Sequence, residues 1–88
     1  MSNFLKLNKD GSIVVDDFVF NPLQGAKVED CFHMPGTVAR NGKIVGSFLA
    51  VYKIVDTELI NFRMCGNHVW TDSTNDILTA VQQFRSII

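Results

Sequence analysis

Every cysteine and histidine of the chain falls in one of two short pairs, Cys31-Phe32-His33 and Cys65-Gly66-Asn67-His68. Together they hold the donor set of a tetrahedral Cys₂His₂ zinc site, because zinc takes thiolate and imidazole ligands and a Cys-Gly-Asn-His turn can aim both donors at one point. Cys31, His33, Cys65 and His68 are therefore the candidate metal ligands. The spacing argues against them, since Cys-x-His lies outside the usual Cys-x-x-Cys-like and His-x-x-x-His-like arrangements. Without a metal the cysteines are small buried hydrophobes and the histidines are surface or hydrogen-bonded groups. A cysteine nucleophile would also need an orienting group and an oxyanion hole, and no segment carries a local signature of that kind. The preferred reading has no cofactor and no enzymatic activity, with zinc as the alternative.

A second constellation lies in Gly66 to Thr74, where an imidazole, an indole and several hydroxyls precede a helix. Unpaired N–H groups at a helix N-terminus favour an anion, and an indole can stack on a base. His68, Trp70, Ser73 and Thr74 are the candidate ligand-binding residues. The simpler alternative has Ser73 or Thr74 capping the helix and Trp70 packed in the core. A third set, Arg40, Lys43, Lys53 and Arg63, would make a modest basic face for single-stranded nucleic acid, with Phe48, Tyr52 and Phe62 as stacking rings. Asp16-Asp17 reads as part of a strand that sends its carboxylates to opposite faces, so it is not a catalytic pair.

Charge and composition narrow the classes. Eight Lys and Arg stand against nine Asp and Glu, a net charge of -1, and the basic residues are scattered singly. That balance argues against nucleic acid as a partner. The longest uncharged apolar stretch, Ile44 to Tyr52, is far short of the roughly 20 residues a membrane-spanning helix needs. Asp10, Asp16 and Asp17 interrupt every candidate signal-peptide core, which makes the cytoplasm the expected compartment. Two cysteines are too few for a disulfide framework, so an 88-residue fold must rest on its hydrophobic core.

These side chains need elements to place them, and no repeat or linker divides residues 1–88, which read as a single domain. Asp10-Gly11 between Phe4–Leu7 and the β-rich run Ser12–Phe20 reads as strand, turn, strand. A short helix is expected around Ala26–Phe32, with Val28, Cys31 and Phe32 on one side. Asn41-Gly42 is a hairpin signal ahead of the run Ile44 to Val55, which would set Ile44, Gly46, Phe48, Ala50, Tyr52 and Ile54 on one face. Its other face, Val45, Ser47, Leu49, Val51, Lys53 and Val55, is also largely apolar and needs cover. Asp56-Thr57 turns into a strand with Ile60, Phe62 and Met64 facing inward, and His68–Thr71 gives one more short strand. Ser73 and Asp76 resemble a capping box ahead of Ile77, Leu78, Val81, Phe84, Ile87 and Ile88 at helical spacing.

The fold class is therefore α+β, an antiparallel β-meander of about five strands with a C-terminal amphipathic helix packed on one face. In order of elements it resembles the profilin-like and roadblock-like architectures, a likeness of topology that implies no function. One helix leaves apolar surface uncovered, which predicts a homo-oligomer, most simply a C₂ dimer through the sheet face opposite the helix or through an edge strand. The function expected is that of a small binding or regulatory protein engaging a partner protein or a small anionic ligand. Compact chains of this kind are common among accessory proteins, including those of phages.

Overall fold

The computed structural model describes residues 5–88, with side chains from Asn8 onward. Among these residues the chain forms eight strands and one helix: β1 (Leu5–Leu7), β2 (Ile13–Val15), β3 (Phe18–Pro22), β4 (Ala26–Val28), β5 (Cys31–Arg40), β6 (Lys43–Val55), β7 (Glu58–Gly66), β8 (Val69–Trp70) and α1 (Ile77–Arg85). All pairings are antiparallel, in the spatial order β1-β2-β3-β5-β6-β7-β8, with β4 on β5 beside β3. The α+β meander with its helix on one face is thus present, with more and shorter strands than the sequence marks. No helix among the described residues is long and apolar enough to cross a membrane.

The strands are joined by two-residue turns, of which those at Asp16-Asp17 and Glu29-Asp30 carry weak sequence signals and account for the extra strands. Asp16, Glu29, Asn41, Asp56 and Asn67 each open such a turn with a left-handed backbone, at φ between 51° and 58°. Asn and Asp tolerate that region because their short polar side chains bond locally. Asp16-Asp17 is therefore a hairpin turn between β2 and β3 and not the interior of one long strand. The turn at Glu29-Asp30 likewise replaces the expected helix over Ala26–Phe32. Ala26, Lys27 and Val28 pair with His33, Phe32 and Cys31, continuing the line of β3 along β5 after an irregularity at residues 23–25. Three apolar positions could not outweigh the pairing that a ten-residue β5 offers. The expected turn at Asp10-Gly11 is present, held by Ser12, whose N–H and hydroxyl both donate to Asp10 Oδ1 at 3.0 and 2.7 Å. Phe4 lies outside the described residues.

Two bulges change the phase of the central strands. Val38 pairs with Gly46 but Ala39 with Ile44, so Ile44 leaves the inward series and is 72% exposed. Val51 pairs with Arg63 but Lys53 with Ile60, so two residues of β7, Asn61 and Phe62, stand against Tyr52. Asn61 takes φ 55°, the left-handed conformation that a bulge of this kind requires. As a result Leu59, not Ile60, packs against the core below the bulge.

The core lies between the sheet and α1. Val15, Phe18, Phe20, Val38, Phe48, Ala50, Phe62 and Met64 come from the strands, and Ala80, Val81 and Phe84 from the helix. The rings of Phe20, Phe48 and Phe84 meet at centroid distances of 5.7, 6.0 and 6.4 Å. Gly66 lets Phe84 in, since a Cβ there would lie 2.5 Å from the ring. Asp76 is the N-cap, accepting from the Leu78 N–H at 3.3 Å and the Thr79 hydroxyl at 2.9 Å, so the cap falls three residues after the Ser73 expected from the sequence. Arg85 at the helix end donates to Asp16 Oδ2 at 2.6 Å, tying the helix back to the β2–β3 turn.

Removing the Phe84 ring leaves a cavity against Phe20, Phe48 and the Gly66 backbone, and Phe84→Ala is expected to cost about 3–5 kcal/mol in denaturant unfolding. A loss below about 1 kcal/mol would show that the ring does not anchor the helix.

Candidate functional site

The helix covers one face of the sheet, and the pairing register fixes what the other presents. Pro35 pairs with Leu49, Leu49 with Cys65, and Cys65 with Trp70, a row of apolar side chains across β5, β6, β7 and β8. The adjacent row is His33, Val51 and Arg63. On the other side runs the neutral polar row Asn21, Thr37 and Ser47. Val51 is 6% exposed, whereas Trp70 at the edge is 41% exposed and holds the Arg63 guanidinium over its ring at 4.6 Å. Trp70 thus lies outside the core in which the simpler sequence reading put it.

The two Cys/His pairs reach this face or its edge without converging. His33 and Cys65 belong to neighbouring rows on strands separated by β6, which places their backbones on the order of 12 Å apart. Among the described residues no group of three or more His, Cys, Asp or Glu side chains is arranged to hold a metal ion. Cys31 donates instead to Asp30 Oδ1 at 3.5 Å, and both cysteines are free thiols.

His68, Trp70, Ser73 and Thr74, expected to hold an anion at the start of the helix, all precede its N-cap at Asp76. His68 sits in the β7–β8 turn at φ 64°. Thr74 pairs through its backbone with Phe62, and its hydroxyl accepts from the Asp76 N–H at 3.2 Å. Ser73 donates to Asn61 Oδ1 at 3.5 Å. The helix starts beyond these residues because Thr71 and Thr74 bond to Met64 and Phe62 and so extend the edge of β7.

The four cations fall into two groups. Arg40 and Lys43 face each other at the β5–β6 hairpin, and Lys53 lies ten residues further along β6, on the order of 30 Å for an extended strand. Arg40 is engaged by Asp17 at 2.7 Å and Lys53 by Asp30 at 3.2 Å. Phe48 and Phe62 are buried, and Tyr52 is stacked between Phe32 and Phe62 at 5.4 and 5.7 Å, so these rings serve the fold.

One residue or more from each expected site does meet at a place the sequence left unmarked. Beside the Asn61 bulge, Cys31, Lys53, Arg63 and Ser73 join Val51, Tyr52 and Asn61 around a cleft of about 250 Å³. The bulge is what brings them together, because it turns β7 and exposes the Asn61 backbone, whose N–H donates to Asn75 Oδ1 at 3.1 Å. An Asn between alternating apolar residues, Ile60-Asn61-Phe62, was the available signal. Comparison with protein-family models, with curated proteins and with solved structures found no match. Function must therefore be argued from the site itself.

At the cleft the hydrogen bond from Lys53, then that from Cys31, holds the Asp30 carboxyl below the usual aspartate range, and Asp30 in turn raises Lys53. Because the folded value is the lower one, whatever this pair adds to stability is present above about pH 4 and is lost as acid protonates the carboxylate. NMR titration should place the Asp30 midpoint below about 3.9, rising towards that value in Lys53→Gln. An unchanged midpoint in the variant would show that Lys53 does not hold the carboxylate.

Proposed function

We propose that the protein is a non-enzymatic binding protein that acts as a homodimer, its two copies meeting through the sheet face opposite α1. The observation that carries this reading is the row Pro35, Leu49, Cys65 and Trp70, apolar across four adjacent strands and not covered by the helix. Apolar rows of this extent on a solvated face mark interaction surfaces, and a two-fold interface requires the surface to be complementary to itself.

This face meets that requirement. A two-fold axis running along the apolar row lays each copy's row onto its twin. The same operation sets His33 and Val51 of one copy over Thr37 and Ser47 of the other, and Arg63 over the β7–β8 turn at Asn67. Arg63 then meets hydrogen-bonding groups instead of a second Arg63, and no like charges are apposed at the centre. The three rows cover about 20 Å by 20 Å, or about 800 Å² over the two copies, an area in the range of weak and reversible association.

Sedimentation velocity at tens of micromolar should give twice the chain mass of 9.9 kDa, and Leu49→Asp should give the monomer with its helix signal and unfolding transition retained. A wild-type chain that is monomeric throughout, or a Leu49→Asp variant that stays dimeric, overturns the reading.

A further inference from the structure

β5 pairs with β6 from Lys43 to Tyr52, whereas β7 reaches only as far as Leu49, opposite Cys65, because the chain turns away at Asn67-His68. Residues 43–48 therefore have a strand on one side only. Among the described residues no backbone hydrogen bond leaves their second edge. An open edge of this kind, about 20 Å long, is a template for another strand. We propose that this edge binds an extended, acidic and alternately apolar segment of a partner protein, which adds a strand to the sheet beside β6.

The side chains along the edge suit that occupant. Ile44 is 72% exposed and Val45 49% exposed, so an added strand has apolar neighbours to pack on. In strand addition the backbone bonds supply the hold and such side-chain contacts select the sequence. The far end of the edge is closed by the β7–β8 turn, where Asn67 and His68 stand beside Ser47 and Phe48. Charge selects further. Residues 40–52 and 65–71 hold no Asp or Glu. Arg40 is taken by Asp17, and Lys43 is in no ion pair among the described residues. An acidic residue opposite Lys43 gains a cross-strand pair, and a basic one is repelled.

The bulge favours a free segment over a second copy of the chain. Val38 pairs with Gly46 and Ala39 with Ile44, so Val45 is an extra residue that adds twist to the edge. Full two-fold overlap of residues 43–48 would set Val45 of one copy against Gly46 of the other, bringing both irregularities to one place. A peptide segment can follow the twist, whereas two rigid, equally bulged edges are blunted against each other. The edge also stands apart from the proposed dimer. Its hydrogen-bonding groups lie in the plane of the sheet, and Lys43, Ile44 and Val45 lie beyond the three rows that the dimer covers. The two proposals fail separately, one in oligomeric state and the other in peptide binding.

The test is an NMR titration of the full chain with three end-blocked peptides. The first alternates Val and Thr between terminal Asp residues, the second has Lys in place of Asp, and the third is the first with every Val and Thr amide N-methylated. The acidic peptide should give saturable shifts and slowed amide exchange within residues 44–48. The lysine peptide should bind about fivefold more weakly, and the N-methylated peptide, stripped of its backbone donors, more than about tenfold more weakly. In Lys43→Glu, at an exposed turn position with no partner to lose, the preference between the acidic and lysine peptides should reverse. Shifts that fail to saturate, that fall outside residues 43–48 and the β7–β8 turn, or that the N-methylated peptide reproduces overturn the added strand. Equal binding of the acidic and lysine peptides, or an unchanged preference in Lys43→Glu, overturns the acidic assignment.

Discussion

The thirteen-residue strand β6 carries apolar side chains towards both faces of the sheet, and among the described residues a nine-residue helix is what covers one of them. Extended, β6 would run about 40 Å, whereas α1 spans about 14 Å. α1 is placed where burial is greatest, with Phe84 against Phe20 and Phe48 and against the bare backbone of Gly66. Everything else about the surface follows from the mismatch. The inner face is filled around Phe84, and among the described residues no helix covers the outer face.

The two bulges turn a flat constraint into a shaped surface. At Val38/Ala39 the bulge releases Ile44 to solvent near the β5–β6 hairpin. At Val51/Lys53 it sets Asn61 in a left-handed conformation and brings residues 73 to 75, from the segment that leads to the helix, against β7. That segment also bonds to Phe62 and Met64 and so covers the edge that β8, with two residues, leaves open. The cleft, the cation stacked on Trp70 and the uncovered apolar row are therefore consequences of one arrangement: a long central strand, bent twice, with a short helix on one side only.

Much of this was legible in the sequence where side-chain period and turn chemistry agreed. The Asn41-Gly42 hairpin, the two apolar faces of the run from Gly46 to Val55, the turn at Asp56-Thr57 and the apolar stripe of the C-terminal helix all stand in the structure. What escaped was local backbone geometry without a glycine. Asp16-Asp17 and Glu29-Asp30 are turns because the strands beside them, β3 and β4, pair along the ten-residue β5, which outweighs any local preference, and three apolar residues near Ala26 were too few to specify a helix. The site escaped for a related reason. Cys31, Lys53, Arg63 and Ser73 were each assigned to a different constellation, and only the extra residue at Asn61 brings them to one cleft. Periodicity assumes an unbroken phase, and a bulge breaks it.

The central claim is that the face opposite α1 is covered by a second copy of the chain. Methyl relaxation by a soluble paramagnetic probe, recorded at high and low protein concentration, reads that cover side chain by side chain. Leu49 and Val19 lie on the outer face, and Ile54, 48% exposed on the helix-bearing side, is the internal control. The account predicts that Leu49 becomes shielded from the probe as concentration rises while Ile54 does not. Equal exposure of Leu49 at both concentrations, in protein that remains folded, would contradict it.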